Sequence, residues 1–246
     1  MFAHENLDFY KIYMEYASLS ADVVERAESW HAFADHLDRA SESIGTNAIR
    51  GNSQRNPNMR TSLFDVAEGS ILECVGCFDV ANAKGLLLPE DLSKGRSYLW
   101  RIRGMVIGLR AVTPDFVRED SSSYGNPSFP HDRLDIYEIA RQIVTWTHVL
   151  QSEGSLSTRQ RNRLDVSTTG ILLNTAEGCG KPGNSDKRKY LEFSYGHSLQ
   201  SALILDLLCA QGRADGRRVA DGKVLLDRMV SMQLSWIEKL ESKRSD

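Results

Sequence analysis

The sequence predicts an all-α protein made of two tandem antiparallel four-helix bundles. Three observations lead to this prediction: the chain repeats itself at a fixed offset, apolar residues recur with helical spacing nearly throughout, and the breaks between periodic stretches are short. Short breaks between long amphipathic helices are what antiparallel bundles require. No stretch shows the alternating β-branched pattern that is typical of strands.

The repeat is clearest where each copy begins. FAHENLDFYKI at residues 2–12 is matched by FPHDRLDIYEI at residues 129–139, which lie 127 positions later. The same offset holds without a gap along both copies, aligning Leu37 with Leu164, Asn47 with Asn174, Asp79 with Asp206, Gly85 with Gly212 and Met105 with Met232. We therefore predict a first bundle over 1–113, a Pro-, Gly- and Ser-containing linker over 114–130, and a second bundle over 131–246.

Apolar spacing and helix-breaking residues set the predicted helices. In the first copy they fall near residues 5–28, 31–51, 58–84 and 89–112. In the second copy, the first helix closes at Gly154 and the others cover about 158–177, 185–212 and 216–243, with Ser157 and Ser185 as caps. We expect Gly178 to end the second of these helices in the left-handed region. The third helix is expected to turn its large apolar residues inward: Tyr190, Phe193, Leu199, Leu203, Leu207 and Leu208.

Composition describes a soluble globular protein of 246 residues, with 41% hydrophobic and 26% charged residues. The polar start of the chain, the lack of an apolar run of membrane length and four cysteines without a disulfide framework predict a cytoplasmic protein that does not enter a membrane. The net charge of −3 argues against broad nucleic-acid binding. However, residues 131–246 carry 17 basic and 15 acidic residues, against 12 and 15 in residues 1–113, so an anionic partner should meet the second copy.

Two motifs of the second copy resemble a known family. NTAEGCGK, starting at Asn174, resembles the signature N-I-A-E-G-x-G-R, and YLEFSYGHSL, starting at Tyr190, resembles F-L-x-x-A-x-G-S. The first copy keeps the latter helix as FDVAEGSILE, starting at Phe64, but has Arg50 where the former signature has Glu. The chain thus resembles a family of bacterial four-helix-bundle proteins. That family includes proteins encoded in intervening sequences of large-subunit ribosomal RNA genes and accessory variability determinants of diversity-generating retroelements.

The resemblance implies a fold, an assembly and a type of function. Members are single four-helix bundles, several of which assemble as rings of five, and no enzymatic activity is established for them. The retroelement member binds a reverse transcriptase and RNA through a basic surface. The resemblance therefore implies a non-catalytic adaptor or scaffold for this chain.

Six residues are candidates for motif or structural polar roles. Asn174 and Glu177 lie one helical turn apart, so they share a face and either fix the helix break or offer a recognition surface. Asp79 and Asp206 occupy apolar stretches of their copies and should be partnered or exposed, since unpaired burial of a carboxylate is costly. We expect one structural bond shared by both copies. The full set is Asn47, Asn174, Glu177, Gly178, Asp79 and Asp206.

Basic residues of the second copy cluster at two corners of the bundle. Such clusters, when joined by an aromatic residue, can contact phosphate and a base, although a solvated helix start gives the same pattern. The candidates for partner or RNA contact are Arg159, Arg161 and Arg163 at the start of the second helix, and Lys181, Lys187, Arg188, Lys189 and Tyr190 before the third.

Nothing in the sequence forms a complete catalytic or metal-binding constellation. His31, Asp35 and His36 are the nearest cluster and lack a second set of ligands, so no metal, cofactor or catalytic residue is predicted. We therefore predict an adaptor that binds a protein, or a protein–RNA complex such as a reverse transcriptase ribonucleoprotein, and whose bundles self-associate. The alternatives are an enzyme with a site between the two copies and a purely structural oligomer.

Overall fold

The computed structural model describes residues 3–27, 31–111, 128–153, 156–181 and 183–242. In these segments the chain forms helices and no strand, which confirms the all-α prediction. Residues 114–127 of the predicted linker lie outside the described residues. After a 3-10 turn at Ala3–Asn6, the helices are α1 Asp8–Glu25, α2 Ala32–Ser53, α3 Pro57–Ala83, α4 Pro89–Ala111, α5 Asp135–Ser152, α6 Thr158–Gly180, α7 Asn184–Ala210 and α8 Gly216–Ser242.

Side-chain caps explain where several helices begin. Ser157 and Gln160 form a capping box at the start of α6, as the sequence predicts for Ser157. The carboxylate of Asp215 accepts backbone N–H bonds at the start of α8 at 2.9 and 3.3 Å. The prediction of Ser185 as a cap is wrong, because the N-cap of α7 is Gly183 and Ser185 lies inside the first turn.

The third helix of each copy ends in the same way. Gly85 and Gly212, which are equivalent in the repeat, have φ values of 67° and 65°. The N–H of the residue after each glycine reaches back to a carbonyl five residues earlier, in Leu86 to Ala81 at 2.9 Å and in Arg213 to Leu208 at 2.8 Å. This pairing satisfies carbonyls that the helix end would leave open and needs a residue that tolerates positive φ. The repeat is thus visible in backbone geometry as well as in sequence.

The chain divides into two compact units, the first comprising Met1–Ala27, Ala34–Phe78 and Leu87–Phe129. Its core contains Tyr16 of α1, which is fully buried, bonds Ser41 of α2 at 3.0 Å and packs against Phe78 of α3. The buried guanidinium of Arg60 in α3 donates to the carbonyl of Leu109 in α4 at 2.8 Å. Since α1 also packs on α4, the four helices enclose one core.

The second unit comprises Glu28–Phe33, Asp79–Leu86 and Pro130–Asp246. Within it, α5 packs against α6 and α8, and α7 packs against the same two helices, which closes a four-helix bundle. This unit differs from the predicted second domain by two short segments that come from the first copy. One of them is the end of α3.

A buried ion pair joins these segments to α6. Lys84 and Asp165 are bonded to each other, and both side chains are 1% exposed. The second carboxylate oxygen of Asp165 accepts the backbone N–H of Ala32 at 2.7 Å. Burying a charge is costly unless it is paired and hydrogen-bonded, and here the carboxylate has both kinds of partner.

The orientation of α7 differs from the prediction. Leu208 is buried as expected, whereas the side chains of Phe193, Leu199, Leu203 and Leu207 are 46–59% exposed. The inward stripe contains Ser194, Ser198 and Ser201 instead, and all three are fully buried. Their hydroxyls are satisfied by neighbours on α6 and α8, for example Ser201 by Ser167 at 2.9 Å and Ser198 by Gln233 at 3.1 Å. Small, hydrogen-bonded side chains let α7 approach α6 closely, and the leucines face outward.

The buried ion pair yields a stability prediction. Replacing Lys84 with Met leaves the Asp165 carboxylate buried without its cation, and breaking a buried pair in this way costs roughly 3–5 kcal/mol. We expect Lys84→Met to lower the free energy of unfolding by about that amount, as measured by urea denaturation followed by circular dichroism.

Two further variants define the outcome. Lys84→Met combined with Asp165→Asn removes both charges, keeps an acceptor for the Ala32 N–H, and should recover most of the lost stability. Arg39→Ala breaks an exposed pair with Asp35 and should cost less than about 1 kcal/mol. If Lys84→Met lowers the free energy of unfolding by no more than Arg39→Ala does, the buried pair does not stabilise the fold as predicted.

Candidate functional site

Arginines gather at one end of the second bundle, where α5 and α7 end and α6 and α8 begin. Gln160 of α6 donates to Gln211 at 3.0 Å, and Arg218 of α8 bonds Glu153 at 2.6 Å. These two bonds bring four helix termini together. We call this surface the arginine end; it consists of Arg159, Arg161, Arg163, Arg213, Arg217 and Arg218.

Much of the positive charge at the arginine end is available to a partner. Among the described residues, no carboxylate lies within salt-bridge distance of Arg159, Arg161 or Arg163. Arg159 and Arg163 are exposed and lie four residues apart, so they share one face of α6. Guanidinium groups arranged in this way can bind phosphate oxygens in a bidentate manner.

Two basic side chains of a second surface already pair with carboxylates. We call this surface the lysine corner; it consists of Lys181, Lys187, Arg188, Lys189 and Tyr190. Lys181 pairs with Glu177 at 2.9 Å and lies over the ring of Tyr190, with 4.8 Å from Nζ to the ring centroid. Arg188 bonds Glu241 at 3.0 Å and Glu192 at 3.2 Å. The two corners are at opposite ends of α6, roughly 30 Å apart at 1.5 Å per residue. The lysine corner therefore offers less unpaired charge than the arginine end.

The asparagines of the family-like motif make equivalent structural bonds. Asn174 donates to the carbonyl of Gly170 at 2.8 Å, and Asn47 donates to the carbonyl of Ser43, also at 2.8 Å. Each bond runs back one turn of its own helix. Both asparagine side chains thus bond to the backbone of their own helix, which is the geometry expected of a structural role rather than of a recognition surface.

Gly178 does not end α6 in the left-handed region, so that expectation is wrong. The helix continues to Gly180, and only Gly85 and Gly212 have positive φ among the described residues. A Cβ at Gly178 would lie 3.1 Å from the Cβ of Tyr190. The missing side chain of Gly178 therefore leaves room for the close approach of α6 to the start of α7.

Asp79 and Asp206 are both partnered, as the sequence predicts for carboxylates in apolar stretches. Asp79 is 7% exposed and accepts the hydroxyl of Tyr137 at 2.7 Å. Asp206 is exposed and binds the ammonium of Lys223 with both oxygens at 2.8 Å. The equivalent aspartates thus occupy a buried position in one copy and a surface position in the other, and the shared structural bond stays a prediction.

The outward face of α7 carries an apolar surface that we call the leucine stripe, made of Leu199, Leu203 and Leu207. Its side chains are 48%, 59% and 46% exposed, and they are spaced by four residues. The equivalent residues of the first copy are Leu72, which is 1% exposed, Gly76, and Val80, which is fully buried. A row of outward leucines is unlike scattered surface hydrophobics and indicates a contact surface.

Two of the cysteines, Cys74 and Cys179, have thiols whose ionisation is suppressed by burial. Burial raises the pKa of the Cys179 thiol to about 12, although nearby Lys187 opposes the shift. Burial likewise raises the pKa of Cys74 to about 12, against the hydrogen bonds of Tyr16 and Ser41. Such thiols hold almost no thiolate near neutral pH, which argues against a nucleophilic or redox role.

The histidine cluster is dispersed among other contacts. His36 pairs with Glu73 at 2.8 Å, and Asp35 pairs with Arg39 at 2.9 Å. His31 packs between the rings of Phe33 and His148, with centroid distances of 5.7 and 6.1 Å. These three residues therefore do not converge on one point.

A different group of side chains does converge. One ligand atom each of Asp79, His131 and Asp132 lies within 4.8 Å of the other two. His131 and Asp132 sit in the turn that precedes α5, and Asp79 comes from the end of α3. These residues could hold a metal ion.

Sequence reasoning missed half of the arginine end. Arg213, Arg217 and Arg218 were not among the candidates, because they lie about 50 residues beyond Arg163 and only the bundle brings them together. The available signal was Arg213 in the short α7–α8 connection, followed by Arg217 and Arg218 at the start of α8.

Comparisons of the chain with protein-family models, curated proteins and solved structures find no match. The likeness to the four-helix-bundle family thus rests on the motifs of the sequence. None of the helices in the described segments combines the length and the apolarity that crossing a membrane requires.

Proposed function

We propose that the chain is a non-catalytic adaptor that binds RNA through the arginine end of its second bundle, as part of a protein–RNA complex. The observation that carries the proposal is the set of three arginines at the start of α6 that have no carboxylate partner among the described residues. Phosphate contacts from such groups supply most of the affinity for nucleic acid. A reverse transcriptase ribonucleoprotein is the complex that the sequence resemblance suggests.

Charge and geometry support a local rather than a general interaction. The chain as a whole is acidic, so RNA should be held at one confined surface rather than along the protein. The arginine end is made of helix termini joined by hydrogen bonds, which fixes the backbone positions from which its arginines extend. The lysine corner contributes less in this proposal, because Lys181 and Arg188 already pair with carboxylates.

We further propose that the chain self-associates through the leucine stripe, with a second copy of the chain as the occupant. The repeat supports this choice, because the same face of the equivalent helix is buried in the first copy. An antiparallel pair of α7 helices around a twofold axis at Leu203 would place Leu199 of each chain opposite Leu207 of the other. Two chains would then present two arginine ends to one RNA.

RNA binding is tested with a charge-reversal variant. Arg159→Glu combined with Arg163→Glu should weaken binding of a fluorescein-labelled single-stranded RNA at least about tenfold, measured by fluorescence anisotropy. The slope of log affinity against log salt should fall by about 1.4, since each lost phosphate contact removes about 0.7.

The matched control is Arg50→Glu combined with Arg55→Glu, which changes the net charge equally at exposed positions of the first copy. This variant should bind RNA within about threefold of the original protein. The proposal is overturned if the α6 variant binds normally or if the control loses as much affinity.

Self-association is tested with Leu203→Asp, which places a charge at the centre of the leucine stripe. Light scattering after size exclusion at high micromolar concentration should show a dimer for the original chain and a monomer for the variant. Ile107→Asp, at an exposed position of α4, is the control and should stay dimeric. A monomeric original chain, or a dimeric Leu203→Asp variant, would refute this use of the stripe.

A further inference from the structure

We propose that Asp79, His131 and Asp132 form a divalent metal site, with Zn²⁺ as the ion that best fits their chemistry. Their three ligand atoms already lie within 4.8 Å of one another. The proposal does not depend on RNA binding or on self-association.

The distance between the ligand atoms of His131 and Asp132 is close to that of a tetrahedral site. Zn²⁺ bound at 2.0–2.1 Å to nitrogen and oxygen ligands places neighbouring ligand atoms roughly 3.4 Å apart. Nε2 of His131 lies 3.8 Å from Oδ1 of Asp132. Closing this gap takes a movement of only a few tenths of an ångström, which a rotation of the partly exposed Asp132 side chain can supply.

The surroundings hold two of the ligands in place. The hydroxyl of Tyr137 donates to Oδ2 of Asp79 at 2.7 Å, and the ring of Tyr137 packs against the ring of His131 with 4.3 Å between centroids. One tyrosine thus orients both a carboxylate and an imidazole. Bonds that fix the direction of ligands in this way are a regular feature of metal sites.

Burial and charge favour a cation at this position. Asp79 is 7% exposed and His131 is fully buried, while the Asp132 side chain is 21% exposed and leaves a route from solvent. Two carboxylates and one imidazole converge here, so a single divalent cation could interact with both carboxylates.

The ligand set points to the type of ion. One imidazole with two carboxylates suits Zn²⁺ better than Mg²⁺ or Ca²⁺, which take oxygen ligands in larger number. Three protein ligands would leave a fourth position for water or for a side chain of a partner. The site would tie the end of α3 to the turn before α5 within the second compact unit.

The repeat supplies an internal control. Asp206 is the equivalent of Asp79, but it is exposed and binds Lys223. Asp206→Asn therefore removes a carboxylate of the same type without touching the proposed ligands.

The experiment is a titration of the full chain, stripped with chelator, with ZnCl₂ and separately with MgCl₂, followed by calorimetry and by the melting temperature. We expect one equivalent of Zn²⁺ to bind and to raise the melting temperature, with no comparable effect of Mg²⁺. Asp132→Asn should weaken zinc binding by at least about 100-fold, more than the loss caused by removing a supporting residue. Because Asp132 is partly exposed, this variant should fold normally, and Asp206→Asn should bind zinc as the original chain does.

Cobalt substitution separates this site from the cysteines. Co²⁺ bound by one nitrogen and two oxygen ligands should absorb in the visible range without the near-ultraviolet band of a thiolate ligand. The proposal is overturned if zinc does not bind stoichiometrically, if Asp132→Asn binds it unchanged, or if the thiolate band appears.

Discussion

One buried ion pair, between Lys84 and Asp165, ties segments of the first copy into the second compact unit. A carboxylate and an ammonium with 1% exposure are tolerated together and would be costly apart. Because the carboxylate also accepts the N–H of Ala32, a single side chain of α6 fixes two segments of the first copy. This constraint explains why the compact units do not coincide with the halves of the repeat.

The pair also shows how the copies have diverged. The repeat aligns Lys84 with Gln211 and Asp165 with Asp38. Gln211 and Asp38 are exposed, whereas Lys84 and Asp165 are buried. Asp79 and Asp206 are also equivalent residues that differ in burial. Asp79 is buried against Tyr137, whereas Asp206 lies on the surface and binds Lys223. Backbone features have diverged much less, since Gly85 and Gly212 end their helices in the same geometry. The two copies have thus kept the same helix end at Gly85 and Gly212 and differ in the burial of equivalent side chains.

The divergence concentrates potential contact surfaces in the second bundle. Its arginine end has charge without carboxylate partners at the start of α6, and its leucine stripe is exposed where the first copy buries the equivalent residues. Both surfaces lie on helices whose inner faces are fully packed. An adaptor needs such a division, because a rigid core must hold the binding groups while they remain accessible.

The sequence was sufficient to predict the all-α class, the repeat and most helix bounds, because these depend on apolar periodicity and on local signals such as Ser157 and Gly212. It was not sufficient for α7. Apolar spacing there favours Leu199, Leu203 and Leu207 as the inner face. In the structure the serines of α7 form the inner face instead, because their hydroxyls are hydrogen-bonded inside the bundle. The cluster of Asp79 with His131 was equally hidden, since its members are 52 positions apart in the chain and meet only through tertiary packing.

The most direct test of the account is ultraviolet crosslinking of the original protein to single-stranded RNA, followed by mass spectrometry of the crosslinked peptides. If RNA binds at the arginine end, crosslinks should appear in the peptides around Arg159–Arg163 and Arg213–Arg218, with few in the first copy. Crosslinks confined to the lysine corner, or spread evenly over both copies, would contradict it.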